Sequence, residues 1–270
     1  MTAQPITMQR ARGVARLGFA MKNGESRLHD LHQAGCLKLM LPQTHIPTPQ
    51  AVMINTAGGL TGGDRLNLDV DVGPGAALQL ATQPAERIYR STGDAARVDL
   101  RFRVGNGARF DWLAQETILF NHGHVRRSIT AKLDTNASLL VVEPIVLGRQ
   151  AMGEAVQNGL LHDQWRIWQN GRLIFVDATK LSNFTDLQAD AAMGDATALA
   201  TILLVTPDTA AKRAQILPVL EWDTVTAGAS AWDDMLIIRA LSHNAQQLRD
   251  MIKHTIVTLR GDPLPRVWTM

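Results

Sequence analysis

Three stretches of this chain repeat one another. Residues 64–83 read DRLNLDVDVGPGAALQLATQ, residues 96–115 read ARVDLRFRVGNGARFDWLAQ, and residues 126–144 read RRSITAKLDTNASLLVVEP. Each is an alternating strand, a tight turn rich in Gly, Asn or Pro, an alanine and a second strand. Val72-Gly73-Pro74-Gly75-Ala76 aligns with Val104-Gly105-Asn106-Gly107-Ala108 at an offset of 32, and Leu133-Asp134-Thr135-Asn136-Ala137 follows after 29 more. A unit of this size cannot bury its apolar face alone and has to stack on its neighbours. Because the unit is all strand, the repeat predicts a mainly β fold: a β-helix or solenoid-like stack of two sheets, with the chain crossing between them. An ordinary β-sandwich with similar hairpins is the competing architecture.

Later segments extend the pattern. WRIWQNGRLIFVDATKL carries Asn170-Gly171, the favoured two-residue hairpin turn, between two strands. Residues 194–205 and 229–241 each read as a strand. Two helices are expected in the C-terminal third. One opens at Thr206-Pro207-Asp208, with proline in its first turn, and runs toward Leu220. The other is NAQQLRDMIKHTIVTLRG, with Asn244 as N-cap, an apolar stripe of Leu248, Met251, Ile252, Ile256 and Leu259, and Gly261 as its stop. No linker interrupts the chain, so residues 1–270 are expected to form a single domain.

NTAGGLTGGDRL, from Asn55 to Leu66, contains Gly58, Gly59, Gly62 and Gly63. A phosphate-binding loop needs a strand before the glycines and a helix after them. Here RLNLDVDV follows, with Leu66, Leu68, Val70 and Val72 alternating against polar residues, which is a strand. The glycine spacing matches neither nucleotide motif. The loop therefore reads as a strand-to-strand connection that needs positive φ or close backbone approach. It leaves a loop of little side-chain bulk that could face a partner or a passage.

With 27 basic and 25 acidic residues, the chain lacks the charge excess expected of a nucleic-acid binder. Its apolar runs are too short for a bilayer span, and the first residues do not read as a signal peptide. The single cysteine, Cys36, allows no intrachain disulfide and reads as a small buried residue. A cytoplasmic protein is the expectation.

Little in the chain reads as catalytic. His122-Gly123-His124 would place two imidazoles on one side of an extended segment, a partial site for nickel, copper or zinc. His29 and His32 are three apart in a stretch that reads as extended, so their rings should face opposite ways. His45, His162, His243 and His254 have no partner in sequence. Neither G-x-S-x-G nor H-E-x-x-H occurs. Paired acids on a β-helix could serve a polysaccharide-active enzyme, the alternative function. That reading needs an aromatic-lined groove, and aromatic residues make up only 5% of the chain.

The glycine stretch NTAGGLTGGDRL resembles the signature of the UreD family of urease accessory proteins, also called UreH. ATQPAERIYRS (81–91), AQETILF (114–120), EPIVLGRQAMGE (143–154) and LPRVW (264–268) are similar to family stretches in the same order. Glu86-Arg87 stands where the family often has Thr-Lys, while Tyr89, Arg90 and Ser91 remain. The resemblance implies a non-enzymatic nickel-insertion chaperone. It would act on urease apoprotein together with UreF and the GTPase UreG, hold no tightly bound cofactor, and pass Ni²⁺ along an interior route. The family fold is a β-helix-like stack. A conduit must bind the ion weakly at several places, which suits carboxylates better than clustered imidazole or thiolate. Asp64 is the first candidate, Glu143 and Asp177 follow, and His122 and His124 could make transient contact. The C-terminal helix is the candidate contact for UreF.

Overall fold

The computed structural model describes residues 9–44, 46–149, 152–189 and 191–269, so His45 lies outside the described residues. The repeat forms three stacked coils. The first contains β5 (Arg65–Val72) and β6 (Ala77–Thr82), the second β8 (Ala96–Val104) and β9 (Arg109–Leu113), the third β11 (His124–Leu133) and β12 (Ser138–Leu147). In each coil one strand lies in one sheet and the next strand crosses to the other. Neighbouring coils pair in parallel, with Val72 beside Val104 and Val104 beside Leu133. In the second sheet Ala77 pairs with Arg109, and Arg109 with Ser138. The sequence offsets of 32 and 29 are thus the strand registers themselves. Each turn contains one left-handed residue: Gly75 (φ 68°), Gly107 (φ 63°) and Asn136 (φ 55°). Asparagine replaces glycine in the third because its short polar side chain tolerates that region.

Further strands flank the coils. β1 (Arg12–Lys22) pairs in parallel with β5, and β4 (Gln50–Asn55) with β6. β2 (Glu25–Gly35) and β3 (Leu37–Met40) are antiparallel edges. β13 (Asn158–Gln169) and β14 (Arg172–Asn183) form the expected hairpin, with φ of 50° at Asn170 and 79° at Gly171. β15 (Ala198–Val205), β16 (Val225–Trp232) and β17 (Met235–Ser242) extend the second sheet. The first sheet runs β14-β13-β11-β8-β5-β1-β2, the second β16-β17-β15-β12-β9-β6-β4-β3. Two short strands, β7 (Glu86–Ile88) and β10 (Thr117–Leu119), lie in parallel beside the end of β12.

Between the sheets lies the main core, with Leu68, Phe102 and Ile129 facing Leu78, Phe110 and Trp112. A second core covers the outer face of the second sheet. There Leu140, Val142, Ile202 and Leu204 meet the apolar stripe of α2 (Ala245–Arg260) and Trp268. β12 is consequently buried on both faces and reads as the unbroken apolar run LLVV rather than an alternation.

Three expectations need correction. Residues 229–241 are not one strand but parts of β16 and β17, turned at Asp233 (φ 47°). The earlier segment is a strand only from Ala198. The first helix, α1 (Thr209–Ile216), has Asp208 as N-cap, so Pro207 lies before it, and a 3₁₀ turn carries the chain on to Leu220. The α2 boundaries, caps and stripe are as expected. Its stripe is core, so any UreF contact has to use its outer side, where Val257 is exposed.

Candidate functional site

The glycine loop is folded against β7. Leu60 N–H donates to the Arg87 carbonyl and Tyr89 N–H donates to the Leu60 carbonyl, both at 2.7 Å. The glycines serve two needs. A Cβ at Gly62 would sit 2.1 Å from Ser91 Oγ and 2.2 Å from the Asp94 carbonyl oxygen; one at Gly59 would sit 2.4 Å from the Tyr89 ring. Gly58, by contrast, faces open space and is needed for its φ of 77°. Gly62→Ala should therefore cost roughly 1–3 kcal/mol through overpacking, and Gly58→Ala about 1 kcal/mol through backbone strain. Urea unfolding of the two variants checks this; equal losses would contradict the assignment.

At the root of this loop, Asn55 links it to the interior. Its Nδ2 donates to the Gly59 carbonyl (3.3 Å) and to Glu86 Oε1 (3.1 Å), while its Oδ1 accepts from Ala57 N–H (3.0 Å). Asn55 and Glu86 line a cavity of about 50 Å³ between the sheets, together with Gln83, Gln115, Trp112 and Glu143. That volume is enough for a few water molecules. Two acids thus face an otherwise largely apolar chamber. Burial pushes the Glu86 carboxyl up to about 7, against the opposing hydrogen bond from Asn55. Burial likewise raises Glu143 to about 7, against the pull of Arg127 and with a further push from Asp163.

Arg127 forms the wall between this chamber and a groove on the outer face of the first sheet, since it lines both. Its guanidinium is gripped by Asp163 through Nε (3.0 Å) and Nη2 (2.5 Å), and by Glu143 through Nη1. Glu143 also accepts from Trp112 Nε1 at 2.7 Å. Burial alone would lower the Arg127 pKa, but the two carboxylates hold it above its ordinary range.

The residues singled out in sequence are dispersed. Asp64 is buried, and its two oxygens accept from the N–H groups of Ala11 and Thr61, both at 2.8 Å. It clamps the loop and acts on Glu86 only through its charge. Asp177 on β14 points inward and pairs with Arg239 at 2.8 Å. His122 sits in a turn with φ of 62°, so the expected extended geometry does not hold there; the strand begins at His124, whose Nδ1 lies 3.3 Å from the Gly93 carbonyl. A bulge opposite Gly18/Phe19 interrupts the alternation between His29 and His32. Cys36 is partly buried, and burial pushes its thiol up, away from the reactive thiolate. Among the described residues, no three His, Cys, Asp or Glu side chains gather as a metal-holding group.

Sequence reasoning missed Glu86, Arg127 and Asp163. Two of them carried a usable signal. Arg127 falls in phase with Val125, Ile129 and Ala131, and Asp163 with Leu161, Trp165 and Ile167; all of these face inward. A charge on the apolar phase of a strand must be paired inside. Glu86 had no such signal, because β7 is too short to show a phase.

Fold and site together define a two-sheet, parallel β-coil protein with a small acidic chamber between the sheets. Comparison with known proteins places it more closely. The family model described as UreD urease accessory protein matches residues 11–269. The chain is 42% identical over 270 residues to the urease accessory protein UreD of Chelativorans sp. (strain BNC1), covering 99% of this chain and 97% of that protein. It is 41% identical over 265 residues to the UreD of Rhizobium leguminosarum bv. trifolii (strain WSM2304), covering 97% and 96%. With the UreD of Agrobacterium fabrum it shares 38% over 270 residues, covering 99% and 94%. The chain belongs to the UreD family of urease accessory proteins.

Proposed function

We propose that this protein is a non-catalytic nickel chaperone that acts in the cytoplasm on urease apoprotein, together with UreF and the GTPase UreG. In this reading Ni²⁺ moves through the interior between the sheets and is held only in passing. The observation that carries it is the chamber with Glu86 and Glu143, two carboxyls that hold and release protons near pH 7. Oxygen ligands of this kind bind Ni²⁺ more weakly than imidazole or thiolate. Each must lose its proton before it can bind, so occupancy is shallow and reversible. Asp64 at the end of the glycine loop and Asp177 on β14 lie outside the chamber lining, and in this reading they would meet the ion before or after it. His124 lines the outer groove and His122 precedes it by two residues, so both would meet the ion at its margin.

The test uses cells carrying the urease genes with and without this chain. Urease purified from cells lacking it should be nickel-poor and inactive, and a variant carrying Glu86→Gln and Glu143→Gln should join the complex yet leave urease nickel-poor. Full nickel content without the protein would refute the chaperone reading. Full content with the double variant would remove the chamber from it.

A further inference from the structure

The parallel register lines up cations across the exposed face of the first sheet. Arg12 pairs with Arg65, Arg65 with Arg97, Arg97 with Arg126, Arg126 with His162, and His162 with Lys180. All but the half-buried His162 are exposed. One transverse row therefore carries five fixed positive charges and an imidazole over six adjacent strands. Like charges directly opposite one another destabilise a sheet. Two outward positions further along the same strands the usual remedy appears: Asp69 sits beside Arg101 and binds it at 2.6 Å. In the cation row, Arg12, Arg65, Arg97, Arg126 and Lys180 form no ion pair among the described residues. Arg126 Nη1 lies 3.2 Å from His162 Nδ1. The middle of the row floors an outer groove of about 560 Å³.

We infer that this row docks an acidic α-helix of a protein partner, laid across the strands. Spacing selects the occupant. Adjacent strands are about 4.8 Å apart, so the row extends for roughly 24 Å. On one face of a helix, side chains recur every three or four residues, a rise of about 5 Å. Carboxylates at i, i+4, i+7 and i+11 would therefore meet successive cations, and about 16 residues of helix would span the row. A single small anion would leave most of the row unpaired. Single-stranded nucleic acid is disfavoured twice over. None of the six residues offers an aromatic stacking platform, and Asp94 and Asp99 in the same groove would face a continuous phosphate chain. A helix can leave gaps at those acids.

Binding of two labelled alanine-based peptides to the full chain tests this, at low salt and at about 0.15 M. They have the same composition and about 16 residues. One has all its glutamates on a single helix face, and in the other they are spread around the helix. The one-faced peptide should bind at least about tenfold more tightly. Arg97→Glu with Arg126→Glu should abolish that preference. Arg103→Glu with Lys132→Glu makes the same charge change on adjacent strands elsewhere in this sheet and should leave the preference intact. Equal binding of the two peptides, equal damage from the two double variants, or tighter binding of a single-stranded oligonucleotide would overturn the proposal. The assay contains neither nickel nor urease, so its failure leaves the chamber reading standing.

Discussion

Arg127→Met is expected to lower the unfolding free energy by roughly 3–5 kcal/mol, enough to depress the thermal midpoint by about 10 °C. The reason is the charge left behind. Asp163 and Glu143 are buried with Arg127 between them. Removing the guanidinium leaves two carboxyls facing each other in a low-dielectric interior. Both can be relieved only by protonation, which costs more as pH rises. A compensating variant separates lost charge balance from lost packing. Arg127→Met combined with Asp163→Leu and Glu143→Gln removes the orphaned charges and should recover most of the loss. Thermal and urea unfolding at neutral pH read both. A single variant within about 1 kcal/mol of wild type, or a triple variant no better than the single, would show that the ion cluster is not what holds this part of the core.

Glu86 should give the chain a pH-dependent penalty. Its folded pKa is about 7, raised by burial, whereas an unfolded glutamate titrates at the ordinary value of 4.5. Between those values the folded state binds the proton and the unfolded state does not. Stability from this group is therefore complete below about pH 4.5 and is lost as pH rises through 7. Above 7 the ionised carboxylate is carried in the chamber at its full cost. Glu86→Gln removes that cost. The variant should match wild type at about pH 4 and exceed it by roughly 1–3 kcal/mol at pH 8. Asn55 is held in place by Ala57 N–H, so its Nδ2 still has an acceptor in the new amide oxygen. Urea midpoints at the two pH values decide it; a pH-independent difference would mean that Glu86 is not a buried titrating group. A gain in stability from losing an acid would also suggest that Glu86 is kept for a task other than folding.

The chamber and the cation row differ in how far sequence reading could reach them. The row is implicit in the repeat: once units 64–83 and 96–115 align at 32 and the next at 29, Arg65, Arg97 and Arg126 fall in one line. The chamber is not. Glu86, Arg127, Glu143 and Asp163 come from four separate strands, one of them only three residues long. The phase of each strand tells which side chains turn inward but not which of them meet. Asp64 shows the converse: it stands beside the glycines and is buried, yet its oxygens are taken by backbone N–H groups. Nothing in NTAGGLTGGDRL announces that Ala11 will arrive to claim one of them.

What this sequence determined by itself was therefore the β coil: alternation sets the strands, left-handed residues set the turns, and the offsets set the parallel register. Those are properties of neighbouring residues and of a backbone that pairs in register. The tertiary structure alone decided which buried charges share a cavity, which acids are occupied as clamps, and that the α2 stripe is core. Such partnerships depend on how the two sheets pack and on the route of the chain between them, and local periodicity does not encode either.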